Sequence, residues 1–348
     1  MIDELVAAVE PVNADTATAA RERHGRLAKP PRSLGHLEDV GIQLAAISGA
    51  SPPPVPRSPA VVVAAADHGV HAQGVSDWPQ DVTRLMVSTV AGGGAAVNAI
   101  ARAVGASVTV LDVGTVAGVV ADGVVDARVR AGTRDITSEP AMALDECAAA
   151  VAAGARVASD LIAGGADLLA TGDLGIANTT ASGALIATLT GEPVSVVTGR
   201  GANLDDERVP VKVKAIEGAL RRHGADRDPL RALVSLGGFE HAALTGVMLA
   251  GAAGRVPVVL DGVIANAAAL AAVGMCPALS GYLIAGHTSA EPGARAALAA
   301  LGSRGLVDLG MRLGEGTGAL LAIPIVQAAA RVLTDMSTLD EVLAGAGA

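Results

Sequence analysis

The sequence predicts an α/β protein: a parallel sheet with helices on both faces, accompanied by a small helical domain drawn from the two chain ends. Three observations predict it. Short apolar runs recur, each followed by a helical pattern. Glycine and polar residues collect immediately after those runs. The 348 residues are 51% hydrophobic but only 17% charged, with one Trp, one Tyr and one Phe, so much surface is hidden by packing of small aliphatic side chains.

Taken in order, Asp3 to Leu27 reads as helical, Lys29-Pro30-Pro31 breaks it, and Leu34 to Ile47 reads as helical again. Ser51-Pro52-Pro53-Pro54 reads as a linker. Strand-like runs follow at Ala60–Ala66, Ser107–Val113, Leu168–Ala170, Ser195–Val197, Leu233–Leu236, Val256–Leu260 and Tyr282–Ala285. Each ends in glycine or a polar residue, and the alternation with helical patterns argues for βα units. The expected division is residues 1–55 with 319–348 as the helical domain, and 56–318 as the α/β domain. Ligands of open α/β sheets bind in the crevice beyond the strand C-termini, where the polar loops here gather.

Composition excludes several classes. With 25 basic and 35 acidic residues the net charge is −10, which argues against a nucleic-acid surface. Cys147 and Cys276 lack the spacing of a disulfide framework or zinc site. The N-terminus lacks a signal-peptide pattern, and the uncharged run from Gly262 up to Glu291 is broken by Asn266, Pro277 and glycines. A cytoplasmic protein without a membrane span is expected.

Four stretches carry candidate chemistry. Arg312-Leu313-Gly314-Glu315-Gly316-Thr317-Gly318 sets one carboxylate between glycines, just before the apolar helical segment Ala319–Leu333. Glutamate is a poor cap there, but a suitable proton acceptor where glycines let a ligand approach the backbone. Asp173 to Thr180 follows a strand and opens a helix, so Gly175, Asn178, Thr179 and Thr180 suit a phosphate cradle. Lys212 could add a cation, and Ser289, in Gly286-His287-Thr288-Ser289-Ala290-Glu291-Pro292-Gly293, a hydroxyl donor. Val75 to Thr83 holds the single tryptophan; Trp78 could stack on a flat ring, with Ser76 or Gln80 hydrogen-bonding it. Asp67-His68-Gly69 does not suggest a metal site, since neighbours in sequence do not face one ion.

In this order, with Lys29-Pro30-Pro31-Arg32-Ser33-Leu34-Gly35, Gly92-Gly93-Gly94-Ala95, Gly237-Gly238 and Leu260-Asp261-Gly262, these motifs resemble the nicotinate-nucleotide–dimethylbenzimidazole phosphoribosyltransferase family of cobalamin biosynthesis. The resemblance covers nearly the whole chain. It implies a Rossmann-like sheet, a homodimer, and transfer of phosphoribose from nicotinate mononucleotide to 5,6-dimethylbenzimidazole. It places the catalytic glutamate on Glu315 and a second carboxylate on Asp173. The family's phosphate-binding positions fall on Gly175, Asn178, Thr179, Lys212 and Ser289, and its base-pocket motif on Ser76 to Gln80, with Trp78 between them; read from the residues themselves, Thr180, Arg312 and Gly314 are further expected nucleotide contacts. No metal or cofactor is implied. Asp173 departs from the usual glutamate, Ala177 from the common glycine, and Arg32 from a small residue. Purine or phenolic acceptor bases, and a catalytically silent nucleotide-binding relative, stand as rivals.

Overall fold

The computed structural model describes residues 1–201, 205, 208–224 and 227–346. Gly347 and Ala348, the end of the expected terminal helical segment, lie outside the described residues. Six parallel strands form one sheet: β1 (Pro59–Ala66), β2 (Ser107–Gly114), β3 (Val124–Asp126), β4 (Leu168–Leu174), β5 (Val258–Leu260) and β6 (Leu283–Ala285), in the order β3-β2-β1-β4-β5-β6. The order reverses between β1 and β4, which opens a crevice at their C-terminal ends. The fold is α/β with Rossmann-type strand order.

The helices in chain order are α1 (Ile2–Ala7), α2 (Ala14–Arg26), α3 (His36–Ser48), α4 (Asp81–Ala91), α5 (Ala96–Val104), α6 (Leu144–Ala163), α7 (Asn178–Thr190), α8 (Val194–Val197), α9 (Val209–His223), α10 (Pro229–Leu236), α11 (Phe239–Ala253), α12 (Val263–Met275), α13 (Pro292–Ala300), α14 (Thr317–Asp335) and α15 (Leu339–Ala346).

Strand β1 shows how the sheet is buried on both faces. Ala60, Val62, Ala64 and Ala66 enter the core containing residues of α6, α7, α11 and α12. The alternate Val61, Val63 and Ala65 enter the core formed with α4, α5 and α14. This is the period-two consequence of a strand covered twice. Helix α14 is long and apolar enough to cross a membrane. Here it packs against α3, α5, β4 and β5, with Leu320, Ile323, Val326 and Leu333 fully buried, so its apolar character is used by the core. From both chain ends, Ala20, Ile42, Ala45 and Leu333 meet in a separate apolar cluster.

Small residues let α6 and α11 approach closely. A Cβ on Gly154 would run into the Ala243 carbonyl, and one on Gly246 into the Val151 carbonyl. Because both obstacles are backbone, neither can rotate away. Gly246→Ala is expected to cost about 1–3 kcal/mol, read as a lower denaturant midpoint; an unchanged midpoint would mean that the helix pair can slide apart freely.

Two expected strands are helices. Ser195–Val197 lies in α8, and Leu233–Leu236 closes α10. The second is started by Asp228, whose side chain accepts from the Arg231 N–H, with Pro229 in the first turn. Apolar runs of three or four residues carry too little periodicity to distinguish the two states. The expected first helix divides into α1 and α2, which follows Pro11 and is capped by Asn13 accepting from Thr16 N–H. Strand β3 was not expected; it is a three-residue, largely exposed edge strand.

Candidate active site

A cavity of about 730 Å³ lies at the C-terminal ends of the strands. Its wall takes residues 173–176, 178 and 179 after β4, residues 262–264 after β5, His287, Ser289 and Glu291 after β6, and 312–315 before α14. Trp78 and the α4 side chains Val82, Thr83 and Met86 close another side.

Glu315 sits in an unusual turn. Gly314, Glu315 and Gly316 have φ of 85°, 63° and 91°, three successive left-handed residues of which only the middle one carries a Cβ. A left-handed non-glycine residue costs roughly 1–2 kcal/mol and marks a position held by its surroundings. The surroundings are specific. The Glu315 N–H donates to the Asp173 carbonyl at 3.2 Å. The turn lies flush on β4, where a Cβ on Gly172 would come within 2.5 Å of the Glu315 carbonyl oxygen. The buried Glu315 carboxylate accepts from the Val97 N–H at 3.3 Å. That N–H belongs to the first turn of α5, so Gly92-Gly93-Gly94-Ala95 leads into the helix end that meets the carboxylate. Burial pushes the Glu315 carboxyl above the usual glutamate range; the Val97 hydrogen bond opposes this and the Asp261 charge reinforces it.

Asp173 ends β4 beneath this turn. Its Oδ2 accepts from Asn178 Nδ2 at 2.9 Å, while Oδ1 is buried without a hydrogen-bond partner among the described residues. Burial, followed by the charges of Asp261 and Glu240, pushes this carboxyl well above the usual range, against the Asn178 hydrogen bond. Asp173 is thus one of four neighbouring carboxylates, and the charges of Asp261, Glu240 and Glu315 all oppose its ionisation.

The α7 end of the cavity forms a polar cradle. Lys212 Nζ is buried and donates to Thr179 Oγ1 at 2.6 Å and to the Gly199 carbonyl at 3.1 Å. Burial pushes its ammonium down to about 8, with Glu291 opposing. Glu291 Oε1 accepts from Gly201 N–H at 2.9 Å, and Arg312 Nη1 donates to the Gly201 carbonyl at 2.7 Å. The 199–201 loop is thus held from both sides. Ala177 has φ 76°, a conformation that glycine adopts without cost, which is the physical content of that departure.

Not every sequence candidate faces the cavity. Glu315, Asp173, Gly175, Asn178, Thr179, Ser289, Arg312, Gly314 and Trp78 line it. Lys212 lies one layer behind, on Thr179. Thr180 is fully buried, and its hydroxyl has no partner among the described residues. Ser76 and Gln80 do not line the cavity. Instead Ser76 Oγ accepts from Trp78 N–H at 3.2 Å, and Gln80 Nε2 donates to the His68 carbonyl at 2.8 Å. Both side chains are spent on shaping the loop that presents Trp78.

Sequence reasoning missed two features. Asp261 is fully buried at the end of β5 and reaches the Glu315 turn. His68, although not paired with Asp67 for a metal, meets Glu240 and His241 of α11. Glu240 Oε1 is hydrogen-bonded to His68 Nε2 at 2.8 Å and lies 2.9 Å from His241 Nδ1, a close contact without hydrogen-bond alignment. Burial alone would raise the Glu240 carboxyl, but the two imidazoles hold it far below the usual range. Such long-range juxtapositions leave no spacing signal in the chain.

A phosphoribosyltransferase family model matches residues 9–343. The nicotinate-nucleotide–dimethylbenzimidazole phosphoribosyltransferase of Salinispora tropica is 49% identical, the match covering 98% of each chain. That of a Roseiflexus species is 47% identical over 98% of this chain and 97% of the relative. The crystal structure of the Thermus thermophilus enzyme superposes with a TM-score of 0.90 at 46% identity, covering 95% of this chain and 98% of that one. A strand-end cavity with a left-handed glutamate turn is therefore carried by a chain whose fold and full-length sequence agree with one set of pentosyltransferase enzymes, and the protein belongs to the nicotinate-nucleotide–dimethylbenzimidazole phosphoribosyltransferase family.

Proposed function

We propose that this chain moves phosphoribose from nicotinate mononucleotide to 5,6-dimethylbenzimidazole, giving α-ribazole 5′-phosphate and nicotinate for cobalamin assembly. The observation that carries the reading is the Glu315 carboxyl, buried on the cavity floor with its proton affinity raised.

Nicotinate is bonded to ribose through a pyridinium nitrogen and leaves as a neutral ring nitrogen, so its departure needs no general acid. C1′ gains oxocarbenium character as the bond lengthens. The attacking benzimidazole nitrogen is neutral; on bonding to C1′ the ring becomes cationic and its other N–H acidic. Glu315 takes that proton. A carboxylate with raised affinity is a better acceptor, provided it is still ionised at the working pH. Attack opposite the leaving group inverts C1′ from β to α. The 5′-phosphate belongs at the α7 cradle, where Ser289, Arg312 and the Gly175–Thr180 backbone supply donors to an otherwise acidic protein and Lys212 adds positive charge from behind Thr179. Asp173, whose ionisation is opposed by burial and by its acidic neighbours, sits beside the sugar and repels an anionic donor nucleotide less than an ordinary carboxylate. Trp78 offers its ring to the flat base; Ser76 and Gln80 act through its loop. The reaction draws on no metal or cofactor, because no pyrophosphate leaves. The acting form is a cytoplasmic homodimer, and Trp78 and Leu313, 49% and 58% exposed at the cavity wall, are apolar surface that a second copy would cover.

Nicotinate release from the mononucleotide, followed with and without dimethylbenzimidazole, tests the reading. Release is expected only with the base present, together with a product of α configuration. Absence of release under both conditions would leave a nucleotide-binding protein and overturn the assignment.

A further inference from the structure

Asp261 is the one carboxylate of the four that touches the backbone of the glutamate turn on several sides. Its Oδ2 accepts from the Gly316 N–H at 3.1 Å; its Oδ1 accepts from the N–H groups of Gly318 at 2.8 Å and Ala319 at 3.0 Å. The first N–H groups of a helix have no intrahelical acceptor. For α14 they are satisfied not by a local cap, since Gly316 at the cap position has no side chain, but by a residue fifty-five positions earlier in sequence. Asp261 is itself fixed: its N–H donates to Thr171 Oγ1 at 3.0 Å, and that hydroxyl donates to the Val259 carbonyl at 3.3 Å. Space is absent, because a Cβ on Gly318 would collide with the His287 ring.

We infer that Asp261 is a positioning residue for Glu315, holding the strained left-handed turn in place and keeping a second negative charge beside the base. The inference rests on the reading of Glu315 as the proton acceptor. Two consequences separate it from a merely structural cap. The turn loses its register when an oxygen becomes an amide, because an NH₂ group cannot accept from Gly316 or from Gly318 and Ala319. The Glu315 carboxyl also loses a charge that raises its proton affinity. The other titratable groups around the turn, Asp173 on β4, His287 after β6 and Arg312 on the same loop, are left in place.

The test is Asp261→Asn, assayed with nicotinate mononucleotide and dimethylbenzimidazole across pH. kcat is expected to fall roughly tenfold with KM for the nucleotide little changed. The acid limb of kcat/KM should move to lower pH, because a charge that raises the Glu315 proton affinity is gone. In a Glu315→Gln background the same substitution should cost nothing further, since no base remains to be positioned. Hydrogen exchange of the native enzyme supplies a readout that does not require the variant to fold: the Gly316, Gly318 and Ala319 amides should be strongly protected. Fast exchange at these amides overturns the inference, as does a folded Asp261→Asn enzyme with native kcat and an unmoved limb while Glu315→Gln is inactive. Normal turnover by Glu315→Gln would instead bring down the reading of the base, and the inference with it.

Discussion

Glu315→Gln is expected to fold, bind both substrates and lose about 10²–10⁴-fold in kcat, the range a positioned proton acceptor contributes. Glutamine keeps the volume and the acceptor oxygen that meets Val97 N–H, but it cannot take a proton. The loss should therefore fall on kcat more than on KM. In the native enzyme, activity should decline as pH falls through the raised Glu315 value, because protonation removes the acceptor; the limb should lie above the ordinary glutamate range. The sign for stability is opposite to that for activity. A carboxyl whose proton affinity is raised by folding stabilises the fold at low pH and loses that contribution as pH rises through its folded value. Ionised Glu315 is then a cost at neutral pH, and Glu315→Gln should be at least as stable as the native chain at pH 7. Measured kcat, together with chemical denaturation at pH 5 and 7, checks both halves. Near-native kcat removes Glu315 from its role.

Lys212→Met is expected to raise KM for the nucleotide about threefold to tenfold, the worth of a buried cation that acts on phosphate through Thr179 and not by direct contact, with a much smaller change in kcat. Methionine retains most of the buried stem and removes the ammonium. Because burial pushes Lys212 down to about 8, the unliganded protein holds this charge at a cost, up to about 3 kcal/mol at pH 7. The cost shrinks as pH rises from about 8 towards the unfolded value. Native stability should accordingly gain from this group as pH rises through that window, and Lys212→Met should lack the gain. Part of the benefit is offset because the Gly199 carbonyl loses its donor. Nucleotide affinity should weaken above pH 8 in the native enzyme and stay flat in the variant. Isothermal titration with nicotinate mononucleotide at pH 7 and 9 distinguishes this from a lysine whose charge the ligand never meets.

Much of the framework was legible in the chain because its signals are local. A long apolar run such as Ala60–Ala66, buried on both faces, can be little other than a central parallel strand. Glycine on both sides of Glu315 announces a backbone that bends into the left-handed region, and three successive positive φ angles are found there. The small-residue start of α7 likewise announces a helix end, and the helix begins at Asn178. Where the signal is short, reading failed: three or four apolar residues at 195–197 and 233–236 fit helix or strand equally, and Pro229 with Asp228 decided for the helix.

The loops that gather at the strand ends, and most of the polar side chains they bear, were thus readable in the sequence alone, since a strand end, a helix cap and a glycine turn are each defined within a few residues. Tertiary structure alone decided which of those groups share a cavity and in what charge state. Ser76 and Gln80 were turned into their own loop, Lys212 was drawn behind Thr179, and Asp261 was carried from β5 to the base of α14. The physical reason is that proton affinity and hydrogen-bond partnership depend on desolvation and on neighbours brought from distant segments, and neither quantity exists until the chain has closed around them.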